Sequence, residues 1–458
     1  MTMTTQNNKT INLYLFKNVI TIFKRYVIPV IISIFLFGET AMAQDRAITL
    51  NEAIKLGQDN SKVLRLSQSK IDEAVSQYNQ AKDLSKPTGS VSFGYDRAEI
   101  PANKLDFGSL SLPLPKNDNA YLGILSVNEV IFGGNKFKYA QQSTDLLTRV
   151  SRLDANINKD EITYDIISSY YDLYKVLQSK KVVEQNLATI DQQIKQSQRF
   201  FDQGLVTKND VLRFELQRAN IQLNGIDLET NRKIVNYNLD VLLGLPESTQ
   251  LAVDTVLQAD KEIDPLTNYI DTAMANRYEL KQYDLRGEFA ETNIKTIKAN
   301  MSPTLSASGS AYYVGVAANP LPQSGSFITP IVVGLNLSWN FSTLWNNKNK
   351  VTQAKIQREE VDINKNITID NIKKEVNQDY QNYTMSVDKI KLLQTSIAQA
   401  GENNNILESK YKSNIASATD RADAQTLLYQ AQINLELAKA DAGLAYYTLL
   451  KSTGKLNK

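Results

Sequence analysis

Two four-residue patterns carry most of the chemistry that spacing alone reveals in this chain. Thr207-x-x-Asp210 and Ser417-x-x-Asp420 each set a hydroxyl and a carboxylate three positions apart. That is the capping box, in which a helix N-terminus satisfies its free N–H groups with both side chains. Asp423 lies three residues beyond Asp420, on the same helix face, and fits no cap. The usual reactive groups are missing. With no cysteine there is no disulfide, thiolate metal site or sulfur nucleophile. With no histidine, the commonest general base and transition-metal ligand are gone as well. The residues indicate neither an enzyme nor a bound metal or cofactor.

The elements that must position these patterns are long. From Gly134 to Gln203 there is no proline, and no glycine follows Gly134. As one α-helix the stretch would span about 105 Å. Leu146, Val150, Leu153, Ile157, Tyr164, Ile167, Tyr171 and Tyr174 recur at alternating spacings of four and three, interrupted at Asp160. This heptad seam demands neighbouring helices in a left-handed supercoil. A second helical pattern, 207–243, starts just after Gly204, so the pair reads as a helical hairpin built to span distance.

The chain has 458 residues and a formal net charge of +2, which gives no case for nucleic acid or an acidic partner. Residues 1–43 read as an export signal. Lys17, Lys24 and Arg25 flank an apolar core from Val27 to Phe37, and Ala41-Met42-Ala43 supplies a small-x-small cleavage pattern. The core is about eleven residues, short of the roughly 20 that span a bilayer as a helix. No other stretch approaches a transmembrane helix, so any membrane crossing by the mature protein must use β-strands.

The mature sequence reads as one unit occurring twice. The first, 44–246, opens with a helix from Ile48 to Leu84, with Leu50, Ile54, Leu64, Ile71, Val75 and Tyr78 as expected buried positions. Lys86-Pro87 stops it. Strands at about 88–97 and 120–132 flank a loop, and Gly133-Gly134 opens the long helix 134–203. The returning helix 207–243 ends at Gly244-Leu245-Pro246. After a connector at 247–263, the second unit, 264–458, repeats the order. A helix runs to Ala299, strands follow at about 304–316 and 328–341, then a long helix 346–413 and a returning helix 418–450. The second seam holds Ile369, Ile372, Val376, Tyr383, Val387, Ile390 and Ile397. Pro87-Thr88 matches Pro303-Thr304, and Phe201, Gly204, Asp210 and Gly244 match Tyr411, Asn414, Asp420 and Gly454 at constant offset. A helix–strand–strand–helix–helix unit repeated in order and length is a strong signal.

Four strands per chain are too few for a single-chain barrel, and an open sheet in lipid leaves its edges unsatisfied. Two arrangements remain. The four strands could form a small water-soluble sheet packed on the helices, or several copies could pool strands into one barrel. Val333, Leu335, Leu337, Trp339 and Phe341 alternate with Gly334, Asn336, Ser338 and Asn340, an apolar face opposite a wet one, which favours pooling.

From about Ile48 to Lys455 the chain resembles the TolC-type outer-membrane efflux proteins. The likeness rests on the duplicated unit and on the segments after each hairpin tip. These are Phe201-Asp202-Gln203-Gly204-Leu205-Val206-Thr207-Lys208-Asn209-Asp210-Val211 and Tyr411-Lys412-Ser413-Asn414-Ile415-Ala416-Ser417-Ala418-Thr419-Asp420, the latter followed by Ala424-Gln425. The strand exit Val130-Ile131-Phe132-Gly133-Gly134 adds to it. The resemblance implies an α+β membrane protein, a homotrimer whose 12-stranded β-barrel in the outer membrane continues into a 12-helix α-barrel across the periplasm. Loops 97–119 and 317–327 would be extracellular. The implied role is the passive exit duct of a tripartite efflux pump, with a periplasmic adaptor protein and an inner-membrane transporter as partners.

By position in the family, Asp420 and Asp423 would form an acidic ring at the periplasmic entrance, while Asp210 and Tyr411 would be contacts of the closed tip gate. Gly204, Leu205 and Val206, with Asn414, Ile415 and Ala416, would be the adaptor-facing tips. Ala416 stands where the family often has a basic residue, which implies no salt-bridge latch there. Phe341 to Asn347 replaces the compact glycine turn of the first half with a longer segment lacking glycine. The tyrosines at 164, 170, 171 and 174 are expected to pack within the helical wall. Two other roles fit the same elements: the outer-membrane channel of a type I protein-secretion system, and a periplasmic coiled-coil scaffold with no pore.

Overall fold

A computed structural model describes residues 46–99, 104–113, 117–253, 263–316 and 327–457. The export-signal segment 1–43, most of the 317–327 loop and much of the connector lie outside these residues. In chain order the elements are β1 (Arg46–Ala47), α1 (Leu50–Asn60), α2 (Lys62–Asp83), β2 (Thr88–Glu99), β3 (Lys104–Phe107), β4 (Leu110–Pro113) and β5 (Asn117–Phe132). Then come α3 (Lys136–Asp202), α4 (Lys208–Leu243), β6 (Leu251–Ala252), α5 (Leu266–Asn276), α6 (Tyr278–Ala299) and β7 (Thr304–Val316). The chain finishes with β8 (Phe327–Ile328), β9 (Ile331–Ser338), α7 (Thr343–Asn346), α8 (Lys348–Lys412) and α9 (Ala418–Ser452). Among the described residues, no helix is long and apolar enough to cross a membrane.

Helices α3 and α8 run 67 and 65 residues without a break. Each returns through a tight turn as α4 and α9, and the two hairpins pack side by side through α3 and α9. The single helices expected over 48–84 and 264–299 are each broken in two. Ser61 leaves the helical conformation, its N–H donating to the Gln58 carbonyl while its hydroxyl accepts from the Leu64 N–H and caps α2. Arg277 breaks the second with an extended ψ of 126°. Of the expected first-helix positions, Leu50, Ile54, Leu64, Ile71, Val75 and Tyr78 are only half-buried. Ala53, Gly57, Ser67, Ala74 and Ala81 are buried instead. Small residues let α1 and α2 approach α3 closely: a Cβ on Gly57 would stand 2.3 Å from Ile166 Cδ1.

Midway along the hairpins, Ile166, Tyr170, Leu173, Leu239 and Leu243 form one core with Ile48, Leu251 and Val253. The Tyr170 hydroxyl donates to the Ile48 carbonyl at 3.0 Å. Ala273, Leu280, Ile372, Val376, Tyr383 and Leu449 form its counterpart in the second half. Asp160, the polar break in the first seam, accepts from Asn457 Nδ2 at 2.7 Å in this same belt.

The main sheet is antiparallel and open. β5 and β7 are central, β2 is one edge, and β8 with β9 forms the other. The loop expected at 97–119 is largely strand: β2 pairs with β5 out to Glu99↔Asn117, and β3 and β4 form a separate hairpin between them. The strand expected at 328–341 is split at Pro330, which lacks an N–H, and ends at Ser338. Register gathers like residues: Val91↔Leu125↔Ala311 and Gly309↔Val333 lie on one face, Ser90↔Ser126↔Ser310 on the other. Ser90 and Ser126 share a hydrogen bond at 2.9 Å. The apolar face is not packed on the helices, since Val333 is 82% and Val91 78% exposed. That removes the basis of the small packed-sheet arrangement.

Candidate functional site

The two hairpin turns lie at the far end of the helices from the sheet, about 100 Å away at 1.5 Å per residue. They share one geometry. In the first, Gly204 takes φ 75°, its N–H donating to the Phe201 carbonyl and the Leu205 N–H to the Phe200 carbonyl, both at 2.9 Å. In the second, Asn414 takes φ 54°, with the Ile415 N–H donating to the Lys410 carbonyl at 2.8 Å. These bonds satisfy the last carbonyls of α3 and α8, and a left-handed residue is needed to make them. A Cβ at Gly204 would meet nothing within 4 Å. Gly204→Ala therefore carries a purely conformational cost of about 1 kcal/mol, whereas Asn414→Gly should be neutral or slightly stabilising. Amide exchange of residues 200–206 should accelerate about fivefold in the first and not in the second.

Asp210 and Asp420 are engaged as caps. The Thr207 N–H and hydroxyl donate to Asp210 Oδ2 at 2.8 and 2.7 Å. Asp420 Oδ2 accepts from the Ser417 N–H at 3.1 Å and hydroxyl at 2.7 Å, while its own N–H donates to Ser417 Oγ. The Ser417 hydroxyl, then its N–H, holds the Asp420 carboxyl below its ordinary range. Asp423 is exposed on α9, 3.6 Å from the Arg213 guanidinium of α4. One turn along α4, Gln217 Nε2 donates to the Ala422 carbonyl and to Thr426 Oγ1, both at 3.2 Å. Arg213 and Gln217 thus fasten the first hairpin to the second beside the acidic pair.

Tyr411 is the buried member of the expected set. At 4% exposure it sits between the rings of Phe200 and Phe214, at 5.9 and 5.8 Å. Its hydroxyl donates to Ser197 Oγ at 3.3 Å. Burial, and secondarily the Asp210 charge, pushes its phenol above the usual value. The end of α8 is therefore held between α3 and α4. Gly204, Leu205, Asn414 and Ile415 stand exposed at the two tips, with Val206 and Ala416 half-buried.

Arg421 leaves no mark in the residue spacing. It is 3% exposed, donates to Asn404 Oδ1, and reaches Glu408 Oε2 at 3.1 Å. Lys412 closes the group from the other side, 2.7 Å from Glu408 Oε1. Ala416 carries no latch, but this charge cluster, centred on the buried Arg421, ties α8 to α9 just above it.

These tips, hairpins and open sheet can be compared with known proteins. The family model described as outer membrane efflux protein matches residues 269–455. The outer membrane efflux protein BepC of Brucella suis is 22% identical over 427 residues, covering 92% of this chain and 88% of that protein. The outer membrane protein TolC of Escherichia coli is 19% identical over 444 residues, 94% of this chain and 87% of TolC. The crystal structure of the outer membrane protein VceC from Vibrio cholerae superposes with a TM-score of 0.73 at 14% identity, covering 88% of this chain and 96% of that one. Residues 269–455 thus match the outer membrane efflux family, and the relatives similar over nearly the whole chain are TolC-type proteins. The chain's place is the cell outer membrane, and its relatives in the family are channel proteins rather than enzymes.

The contact between the hairpins carries a ladder of amides. On α3, Asn186 and Gln193 are seven residues apart; on α9, Gln425 and Gln432 are as well. Gln425 Nε2 donates to Asn186 Oδ1 at 2.9 Å, Asn186 Nδ2 to Gln432 Oε1 at 3.3 Å, and Gln193 Nε2 to Gln425 Oε1 at 3.4 Å. Buried amides at heptad positions fix register at some cost in stability. The signal for them was present in the seven-residue spacing.

Proposed function

We propose that three copies assemble into an outer-membrane exit duct for a tripartite efflux pump. The observation that carries this reading is the open sheet, whose edges β2 and β9 have, among the described residues, no partner on their outer sides. A membrane sheet must close, and four long strands from each of three copies give a twelve-stranded barrel. The helices support the same closure. α4 leaves Leu216, Leu223 and Ile226 exposed, and α8 leaves Ile356, Ile363 and Leu392 exposed, so each flank of the paired hairpins offers an apolar stripe to a neighbouring copy. The duplicated unit would supply twelve helices for the tunnel wall, extending into the periplasm.

At the tunnel entrance Asp420 and Asp423 would form acidic rings, and Tyr411 with Asp210 would hold the closed tip. Leu205 and Ile415, exposed by 51% and 75%, would meet a periplasmic adaptor, which couples the duct to an inner-membrane transporter. The duct itself is passive.

Conductance in a planar bilayer tests the reading. Detergent-extracted protein should be a trimer and give discrete single-channel currents; a monomer without current would sink it. Within this reading, Asp423→Ala should weaken block by a trivalent cation about tenfold. Unchanged block would remove Asp423 from the entrance, leaving it as the partner of Arg213.

A further inference from the structure

The junction from β9 to α8 leaves a cluster of large apolar side chains in the open. Trp339 is 51% exposed, Phe341 60%, Leu344 49% and Trp345 58%. The rings touch one another, Trp339 to Phe341 at 6.4 Å and Phe341 to Trp345 at 5.8 Å between centroids. The Trp339 indole N–H donates to the Met301 carbonyl at 3.0 Å, which ties the cluster to the end of α6. These are the only two tryptophans in the chain. The corresponding first-half junction also leaves Ile131 and Phe132 exposed, at 58% and 50%, but it carries no tryptophan.

The chemistry of this segment changes in layers along the chain. Ile331, Val333, Leu335 and Leu337 form an exposed aliphatic face on β9. The aromatic cluster follows, and exposed Lys348 and Lys350 come next. No acidic residue occurs from Thr292 to Arg358, and exposed Lys295 and Lys298 lie on α6 near its end at Ala299. Hydrocarbon core, interface and headgroup layer have this same order of preference: aliphatic, then Trp and Phe, then cationic. A neighbouring copy would pair with the edge of β9 and leave its apolar face free, so the occupant is lipid.

We propose that residues 339–350 are an interfacial foot, one per copy, which seats the aromatic cluster in the inner-leaflet boundary of the outer membrane and gathers anionic phospholipid at its lysines. The proposal rests on the reading that the sheet crosses the outer membrane.

Because both tryptophans lie in the foot, intrinsic fluorescence reports on it alone. The protein is reconstituted in phosphatidylethanolamine/phosphatidylglycerol vesicles whose chains carry bromine near the carbonyl or near the bilayer centre. Shallow bromine should quench at least about twice as strongly as deep bromine, also in the single-tryptophan variants Trp339→Phe and Trp345→Phe. At equal fraction, brominated phosphatidylglycerol should quench at least about twofold more than brominated phosphatidylethanolamine, and Lys348→Glu/Lys350→Glu should abolish that preference. Channels that conduct normally while neither label quenches, or while the deep label quenches more, would overturn the foot and leave the duct intact. Loss of both current and vesicle association would overturn the membrane-spanning reading on which it rests.

Discussion

In the proposed trimeric duct, Tyr411→Ala should leave the closed tip unable to hold, raising the resting single-channel conductance while the midsection stays folded. The ring is 4% exposed and wedged between Phe200 and Phe214, in a cluster with Val182, Val183, Ile190, Ile221 and Ala422. Truncating a buried aromatic costs about 3–5 kcal/mol through lost burial and the cavity left behind. That is far more than the exposed Arg213–Asp423 pair contributes, at 3.6 Å and about 1 kcal/mol or less. Tyr411 also comes from α8, whereas the two rings that hold it come from α3 and α4, so its loss acts on the attachment of one hairpin to the other. Tyr411→Phe keeps the ring and gives up only a 3.3 Å bond to Ser197, so it should stay within about 1 kcal/mol of the parent. Amide exchange over 405–420 and conductance in a bilayer separate the cases. Wild-type values for the alanine variant would mean that the hairpins are held elsewhere, at the amide ladder.

What was legible in the sequence follows from what repeats. The heptads of α3 and α8 persist over many turns, and one substitution does not erase a period of that length. Asp160 interrupts the first without ending the helix, because it accepts a bond from Asn457. Single-residue breaks left no such mark: Ser61 and Arg277 end helices without glycine or proline, by turning the chain at one ψ angle. The buried stripe of α1 and α2 was hidden because close approach selects Ala53, Gly57 and Ala74, which a hydrophobicity pattern scores weakly. Strand limits at 97–119 depend on pairing with β5, a long-range term absent from local alternation. At the tips the caps were legible as four-residue motifs. Arg421 was not, because a charged residue reads as exposed until Glu408 and Asn404 are brought to it by the turn.

A stabilising effect of acid should come from Asp240, far from the tips. It is fully buried on α4 beside Leu239 and Leu243. Asn236 Nδ2 donates to Asp240 Oδ2 at 2.8 Å, but Oδ1 has no hydrogen-bond partner. Asn236 is already committed to the 249–251 segment, donating to the Thr249 carbonyl at 2.6 Å and accepting from the Leu251 N–H at 2.8 Å. Burial pushes the Asp240 carboxyl up to about 6, and the single Asn236 bond opposes this only in part. The folded protein therefore holds the proton more tightly than the unfolded chain does. The contribution of this carboxyl to stability is then fully present below the ordinary aspartate range and falls away as pH rises toward about 6, by at most about 3 kcal/mol. Asp240→Asn keeps an acceptor for Asn236 and removes the buried charge. It should raise the denaturant midpoint at pH 7.5 and flatten the dependence between pH 4 and 6, while changing little at pH 4. A variant that is less stable than the parent at pH 7.5, or that keeps the parent slope, would show that Asp240 is ionised and paired in the folded state.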